Sequence, residues 1–335
     1  MQLVNKNFKL GEIMKKIRDK FLIMDTTNPL NVKDKMKKII NMASAFRYKF
    51  KLKFIKIKTV SDKKYKVTIC AIFKNEANYL KEWIEFNRIV GIEHFYLYNN
   101  NSTDNYLSIL KQYISEGLVT LIQWPKDQAQ MECYKDCISK FRNETQWLGF
   151  IDIDEFIVPV EMDNVYDFLK PFEKNRGSVK MYWKMFGTSG LINRDIDSLV
   201  TEKFIVSWPM HYSVGKCFYN TNFDFDFNTD KNRNLHHLFW AKYKGRNIPP
   251  VNAFDNVCLN RFDCVKSDSH PIQINHYFTK SYNEYSQKKS KGDVYFKVNP
   301  HDEEYFYLHE MENTSVDYSA YKYLVKLKLA MKMLK

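Results

Sequence analysis

The chain has 335 residues, 44% hydrophobic and 16% aromatic, with only 10 Gly and 9 Pro. That is enough for one large folded domain or two modest ones, and too little Gly and Pro for a collagenous or low-complexity chain. The net charge of +13 is segregated: residues 1–66 carry 19 Lys/Arg against 5 Asp/Glu, residues 322–335 carry five Lys and no acid, and the body between them is acidic at −6. A nucleic-acid reader would hold its bases on the folded body, so the charge argues against one.

The first residues, MQLVNKNFKLGEIMKK, lack the apolar stretch and cleavage site of a signal peptide. No apolar run approaches the roughly 20 residues that span a bilayer. The six cysteines form no CxxC pair and read as reduced core thiols of a cytosolic protein. Residues 1–66 read as a basic, helical extension. Within it, KMKKIINMASAFRYKFKLKFIKIK (35–58) mixes lysine with Phe, Ile and Met, and the tail YLVKLKLAMKMLK does the same. That mixture suits the surface of an anionic membrane. The alternative is a solvated helix packed on the body. The expected location is cytoplasmic, peripheral on the inner face of the cell membrane.

From Val67 the pattern changes. VTICAIF (67–73) is a continuous apolar run of strand length, as in a buried parallel strand. A helical pattern follows from Glu76, then a strand at HFYLYN (94–99), closed by NNNSTDN. Leu107, Leu110 and Ile114 mark a helix, LVTLIQW (118–124) a strand, residues 127–141 a helix, and WLGFIDID (147–154) a fourth strand. Alternation at this spacing predicts βαβ units and a mostly parallel sheet flanked by helices, with any ligand at the carboxyl rim of the strands. After about residue 160 the pattern is irregular and aromatic-rich. The boundaries are 1–66 for the basic extension, 67–317 for the domain and 318–335 for a basic tail helix.

The main chemical signal is Asp152-Ile153-Asp154-Glu155 at the end of the fourth strand. Two residues apart in a strand, Asp152 and Asp154 share a face. Two crowded carboxylates repel unless a cation lies between them, and a hard ion such as Mn2+ or Mg2+ accepts such ligands while keeping positions open for phosphates. A bare DxD is also a common exposed turn.

The ordered set FKNEANYLKEWIEFNRIVGIEHFYLYNNNSTDN (73–105), Val119–Pro125, Gln130, WLGFIDIDEFIVP (147–159), WKMFGTSG (183–190), TEKF (201–204), VGK (214–216) and INHYFTKSYNEYSQKKSKGD (274–293) resembles inverting glycosyltransferases of the GT-A fold, close to glycosyltransferase family 92. The resemblance spans roughly residues 67–317. It implies a metal-dependent transfer of a hexose, galactose as the guess, from a nucleotide diphospho-sugar (UDP-sugar favoured) to a hydroxyl of a glycan or lipid-linked glycan.

By that resemblance, Asp152, Asp154 and His276 hold the metal. A lone His is more often structural, but Tyr277 and Lys280-Ser281 continue the family pattern. Lys74, Asn75 and Glu76 line the donor pocket, as do Asn99 and Asp104, although this chain has Asn99, Asn100 and Asn101 where a related acidic loop begins with acids. Asp104 also fits a helix N-cap. Lys216, Lys280, Lys288 and Lys291 face the diphosphate in this reading, while each alone reads as a surface charge. Trp183, Phe186, Gly187, Ser189 and Gly190 form an acceptor loop or, equally, a buried aromatic and a tight turn. An inverting transfer also needs a carboxylate base. Glu202 is slightly favoured over Asp195 and Asp197, against its being a surface ion pair. Other classes fit less well. A pyrophosphorylase needs a glycine-rich loop where FKNEAN stands. A non-catalytic carbohydrate or nucleotide-sugar binder has no need of the intact DIDE.

Overall fold

The computed structural model of the protein describes residues 32–57, 63–127, 129–261, 267, 269–290 and 302–333. Nine strands form the main sheet: β1 (Tyr65–Phe73), β2 (His94–Asn99), β3 (Val119–Gln123), β4 (Thr145–Phe150), β5 (Glu155–Pro159), β6 (Ser178–Met185), β7 (Tyr212–Asn220), β8 (Val251–Asn252) and β9 (Ile272–His276). Their order is β3-β2-β1-β4-β7-β6-β9-β5, with β8 on β6. The first four strands are mutually parallel, joined by the helices Ala77–Ile89, Tyr106–Ser115 and Gln130–Phe141. The alternation read from the sequence is therefore the architecture, with helices beside a central sheet.

The second half is mixed. β7 runs antiparallel to both β4 and β6, and β9 is parallel to β6 but antiparallel to β5. Gly215 lies where β6 breaks register between Tyr182 and Trp183. A Cβ there would stand 1.8 Å from the Met181 carbonyl oxygen, so only glycine lets the two backbones approach.

Chain order reverses between β1 and β4. β1 leads outward to β2 and β3, and the chain then crosses back to β4. In open α/β sheets a crevice for ligand opens at such a point, outside the carboxyl ends of the strands. Here its walls are the loops after Phe73 and Phe150. The buried rings of Trp83, Trp147, Tyr96, Phe95 and Phe150 fill the core beneath and fix the rim.

The expected fourth strand, 147–154, is two strands. β4 stops at Phe150, the chain turns through Ile151–Asp154, and β5 starts at Glu155. The reversal is needed for β5 to pair antiparallel with β9, Glu155 opposite His276. Asp152 and Asp154 therefore sit in a turn and do not share a strand face.

The basic extension contributes the helix Val32–Leu52; residues 1–31 and 58–62 lie outside the described residues. The tail forms a 3-10 turn, Ser319–Tyr323, and a helix, Leu324–Ala330. It is a packed cap on the body. Leu327 is fully buried, Tyr323 packs edge-on to Phe86, and the Lys81 ammonium donates to the Met331 carbonyl. Cys70, Cys133, Cys137, Cys217 and Cys258 are buried, and Cys264 lies outside the described residues.

Candidate active site

The loops after β1 and β2 are laced together. Asn75 takes a left-handed conformation, φ 55°, which Asn tolerates better than most residues. Its N–H donates to Ser102 Oγ at 2.9 Å, and its side-chain oxygen accepts from the Thr103 N–H at 2.7 Å. Asp104 does cap a helix, but the preceding one: its Oδ2 accepts from the Ala77 N–H at 2.8 Å, opening Ala77–Ile89. Its other oxygen is buried with no partner among the described residues. Asn99 is committed to the scaffold, donating to Tyr106 and Gln123 and accepting from the Ser102 N–H. Its Asn-for-acid departure is thus a structural substitution. Lys74 and Glu76 stand half-buried at the same rim.

The Asp152–Glu155 turn is clamped from below. The Trp83 indole N–H donates to the carbonyls of both Asp152 and Glu155, at 3.0 and 2.8 Å, and the Tyr277 N–H donates to the Asp154 carbonyl at 2.9 Å. With its backbone fixed, the turn aims three carboxylates in different directions.

Asp152 points at Lys216. The Lys216 ammonium, wholly buried on β7, lies 2.5 Å from Asp152 Oδ2 and 3.4 Å from Glu155 Oε2. Gln130 and Tyr134 donate to the other Asp152 oxygen, each at 3.2 Å. Burial alone would lower the Lys216 pKa; Asp152 and Glu155 overcome it and hold the pKa above its usual value.

Asp154 points the other way. Its Oδ2 lies 2.5 Å from the Lys288 ammonium and 3.6 Å from His276 Nε2. Burial would raise its pKa, but Lys288 and His276 hold it well below the usual carboxylate range. Burial pushes His276 below its usual pKa, so the ring is the neutral species that ligates metals.

Glu155 is entirely buried, and burial pushes its pKa well up against the opposing pull of Lys216. One of its oxygens has no partner among the described residues. Asp154, Glu155 and His276 each offer a ligand atom within 4.8 Å of one another. Two carboxylate oxygens and an imidazole nitrogen are a donor set that divalent ions accept. The buried Glu155 oxygen without a partner and the neutral His276 ring fit a resident cation.

The structure thus brings Asp154 and His276 together and sets Glu155 beside them, while the Asp152 carboxylate faces Lys216. Two lysines, Lys216 and Lys288, lie against the Asp152 and Asp154 carboxylates. Glu155 was legible as the acid completing DIDE, but nothing in the sequence said it would turn inward. Gln130 and Tyr134, one turn apart on their helix, likewise become Asp152 partners only through the crossover.

Trp183 stands beside this cluster. Its ring centroid is 4.6 Å from that of His276 and 6.2 Å from that of Tyr212, with the Tyr212 ring parallel, and its indole N–H has no partner among the described residues. The rest of its loop is scaffold. Phe186 is fully buried, Gly187 backs onto Asn313 and Glu310, Ser189 Oγ accepts from the Ile205 and Val206 N–H groups, and Gly190 closes the turn at φ 77°.

Lys280 is buried at φ 52°, its ammonium 4.4 Å from the Tyr79 ring centre. Burial lowers its pKa. Glu202 is held by Lys328 of the tail helix at 2.5 Å, and Asp195 and Asp197 occupy an exposed turn in which Asp195 accepts from the Asp197 N–H. None of these three belongs to the Asp154 group. Lys291 lies outside the described residues.

The rim, the acidic turn and β7 fall inside residues 63–222, which match the sequence model of glycosyltransferase family 92. His276, Lys280 and Lys288 lie beyond the matched stretch. A family 92 protein of Ricinus communis is 31% identical over 136 residues, covering 39% of this chain and 24% of that protein. The β-1,4-galactosyltransferase galt-1 of Caenorhabditis elegans is 31% identical over 126 residues, 33% of this chain and 30% of that one. The galactan β-1,4-galactosyltransferase GALS3 of Arabidopsis thaliana is 31% identical over 118 residues, 31% and 23%. The chain thus spans less than a third of the length of each relative. Among solved structures, S. aureus TarS 1–349 shares 15% identity over 47% of each chain at a TM-score of 0.32.

Proposed function

We propose that the chain is a metal-dependent, inverting glycosyltransferase of family 92. In this reading it moves a hexose, galactose favoured, from a nucleotide diphospho-sugar to a hydroxyl of a glycan or glycolipid. The observation that carries it is the Asp154–Glu155–His276 group, set within 4.8 Å at the strand-end crevice of a family 92 domain. The names of the galactosyltransferase relatives support the choice of sugar. The basic, apolar N-terminal helix extends the reading to an acceptor presented at a membrane.

Asp154, Glu155 and His276 would hold the ion, with Mn2+ favoured and Mg2+ the alternative. Such an ion, when bound, supplies Lewis-acid stabilisation of the departing diphosphate. The chain's own residues do the rest. Lys288, half-buried beside the acidic turn, would offer its positive charge to the phosphate oxygens, while the buried Lys216 would hold the Asp152 and Glu155 carboxylates in place. Trp83 holds the turn rigid so that none of this must reorganise during reaction. Asp104 and Asn75 shape the nucleoside side of the crevice, and Trp183 with Tyr212 offers an aromatic face for the acceptor sugar. The acceptor oxygen bonds to the anomeric carbon as the bond to the phosphate oxygen breaks, and its proton passes to a carboxylate on the acceptor side. Asp195, Asp197 and Glu202 are the carboxylates offered for that step, the first two in an exposed turn and the third tied to Lys328.

The test is nucleotide release from a panel of nucleotide sugars by the full chain with Mn2+, with and without chelator. One uridine diphospho-sugar should turn over, and chelation or Asp154→Asn should cut the rate on the order of 100-fold. Donor binding with no turnover under any condition would favour the second reading, a non-catalytic nucleotide-sugar binder. Turnover indifferent to both chelator and Asp154→Asn would remove the metal from the mechanism.

A further inference from the structure

The helix Val32–Leu52 has two apolar faces. One is buried: Ala45 and Leu52 are inside, and the Tyr48 ring meets Trp240 edge-on at 5.8 Å. The helix is pinned there by Lys49, which donates to the Asp255 carbonyl, and by Arg176, which donates to the Leu52 carbonyl. The opposite face carries Met36, Ile39, Ile40, Phe46 and Phe50, and Phe54 continues it into the closing turn; all six are 57–68% exposed. At 100° per residue they fall in an arc of about 120°, and they run for roughly 27 Å. Scattered exposed apolar residues are ordinary, but a continuous stripe of this length marks a surface that meets something.

Charge says what it meets. Residues 35–61 contain nine Lys/Arg and no Asp or Glu. Arg47 falls within that arc, and Lys51 and Lys53 lie just outside its two edges, all three exposed. Phe54, at the C-terminal end of the stripe, also lines a solvent-accessible cavity of about 490 Å³, whose lining includes the apolar Leu52, Ile55 and Tyr48 and the basic Lys51, Lys231 and Arg246. A second copy laid face to face would set these like charges against one another. A nucleic acid would use the bases and leave the aromatics without a partner. A bilayer with anionic headgroups satisfies both, taking the apolar stripe at its acyl boundary and the bases at its phosphates. No helix among the described residues is long and apolar enough to cross a membrane.

We propose that this face of Val32–Leu52, with the basic cavity at its end, lies in the plane of an anionic lipid bilayer and seats one phospholipid headgroup between Lys51, Lys231 and Arg246. The test is flotation of the full chain with vesicles of phosphatidylcholine alone and of phosphatidylcholine with phosphatidylglycerol. Beside it run Phe46→Glu/Phe50→Glu and Lys231→Glu/Arg246→Glu, whose exposed positions leave folding intact by circular dichroism. Wild type should partition to the anionic vesicles on the order of tenfold better than to the neutral ones, less so in high salt, and each double variant should lose on the order of tenfold. Three results would overturn the proposal: no partition of wild type to anionic vesicles, equal partition of the variants, or a lipid-free wild-type dimer that Phe46→Glu/Phe50→Glu converts to monomer. The readout needs no glycosyl transfer, so its failure leaves the reading of the active site standing.

Discussion

The Lys288 ammonium sits 2.5 Å from Asp154 Oδ2, on the carboxylate oxygen that also faces His276. An ammonium and a divalent ion cannot both hold that oxygen in the same way. On the metal-dependent reading proposed above, Lys288 would compete with the ion for that oxygen and would move aside, toward a bound phosphate, as the ion enters.

The consequence is a split between two measurements. Lys288→Met should bind Mn2+ several-fold tighter in calorimetry without donor, because the competing charge is gone. The same variant should bind a nucleotide diphosphate more weakly in the presence of Mn2+, on the order of tenfold, because a charge-assisted contact is lost. Unchanged Mn2+ affinity would show that the lysine and the ion do not share Asp154.

Glu155 supplies a second separation of stability from metal binding. Its buried carboxyl is pushed well above its usual range by burial, against the pull of Lys216. Glu155→Gln keeps an oxygen to accept from the Asp152 N–H, as Glu155 does at 3.2 Å, and places an amide where the carboxyl has an oxygen without a partner among the described residues. Thermal stability without metal should shift by no more than about 1 kcal/mol, the scale of one hydrogen bond. Mn2+ binding should fall by at least about tenfold, because an amide is a poorer ligand than a carboxylate. A large loss of stability with retained Mn2+ affinity would make Glu155 a structural residue only.

Sequence periodicity carried the first half of the sheet because each of β1 to β4 is a short apolar run beside an amphipathic helix. It carried less of the second half. β6, β7 and β9 are set by antiparallel pairing between distant segments, and no local pattern encodes that Glu155 will lie opposite His276. The same limit explains the site. Asp154 was legible from its neighbours, but Lys216 reads as one more lysine until β7 inserts it beside β4. Likewise DIDE read as one strand because Ile151 and Ile153 are apolar enough to continue it; the turn is dictated by β9, more than a hundred residues later.

Trp183 tests which side of the crevice takes the acceptor. Its ring is half-buried between His276 and Tyr212, and its indole N–H has no partner among the described residues. Trp183→Ala should raise the acceptor KM on the order of tenfold, consistent with the loss of an aromatic contact of about 1 kcal/mol and the burial that accompanies it. Donor KM should hold within a factor of about two, and Trp183→Phe should recover most of the loss. A donor KM that rises while the acceptor KM stays put would move Trp183 to the nucleotide side.

His94, at the start of β2, gives the fold a pH dependence separate from the site. Its Nδ1 lies 3.0 Å from the Gly117 carbonyl and its Nε2 lies 2.8 Å from Thr120 Oγ1, so the neutral ring donates at one nitrogen and accepts at the other. Burial pushes its pKa down from 6.5 to about 4. The unfolded chain therefore takes up this proton at higher pH than the folded one. The stability owed to the neutral ring is complete above pH 6.5 and drains away as pH falls toward about 4. Other buried histidines, including His211 and His270, shift the same way. The contribution of His94 is therefore isolated by comparing wild type with His94→Gln in urea titrations from neutral pH to about 4.5. Wild type should lose stability more steeply with acid, by up to about one proton in the linkage slope, while the variant starts lower at neutral pH. Parallel pH curves for the two proteins would mean that His94 takes up its proton at the same pH in the folded and unfolded chains, so that the fold does not hold its ring neutral.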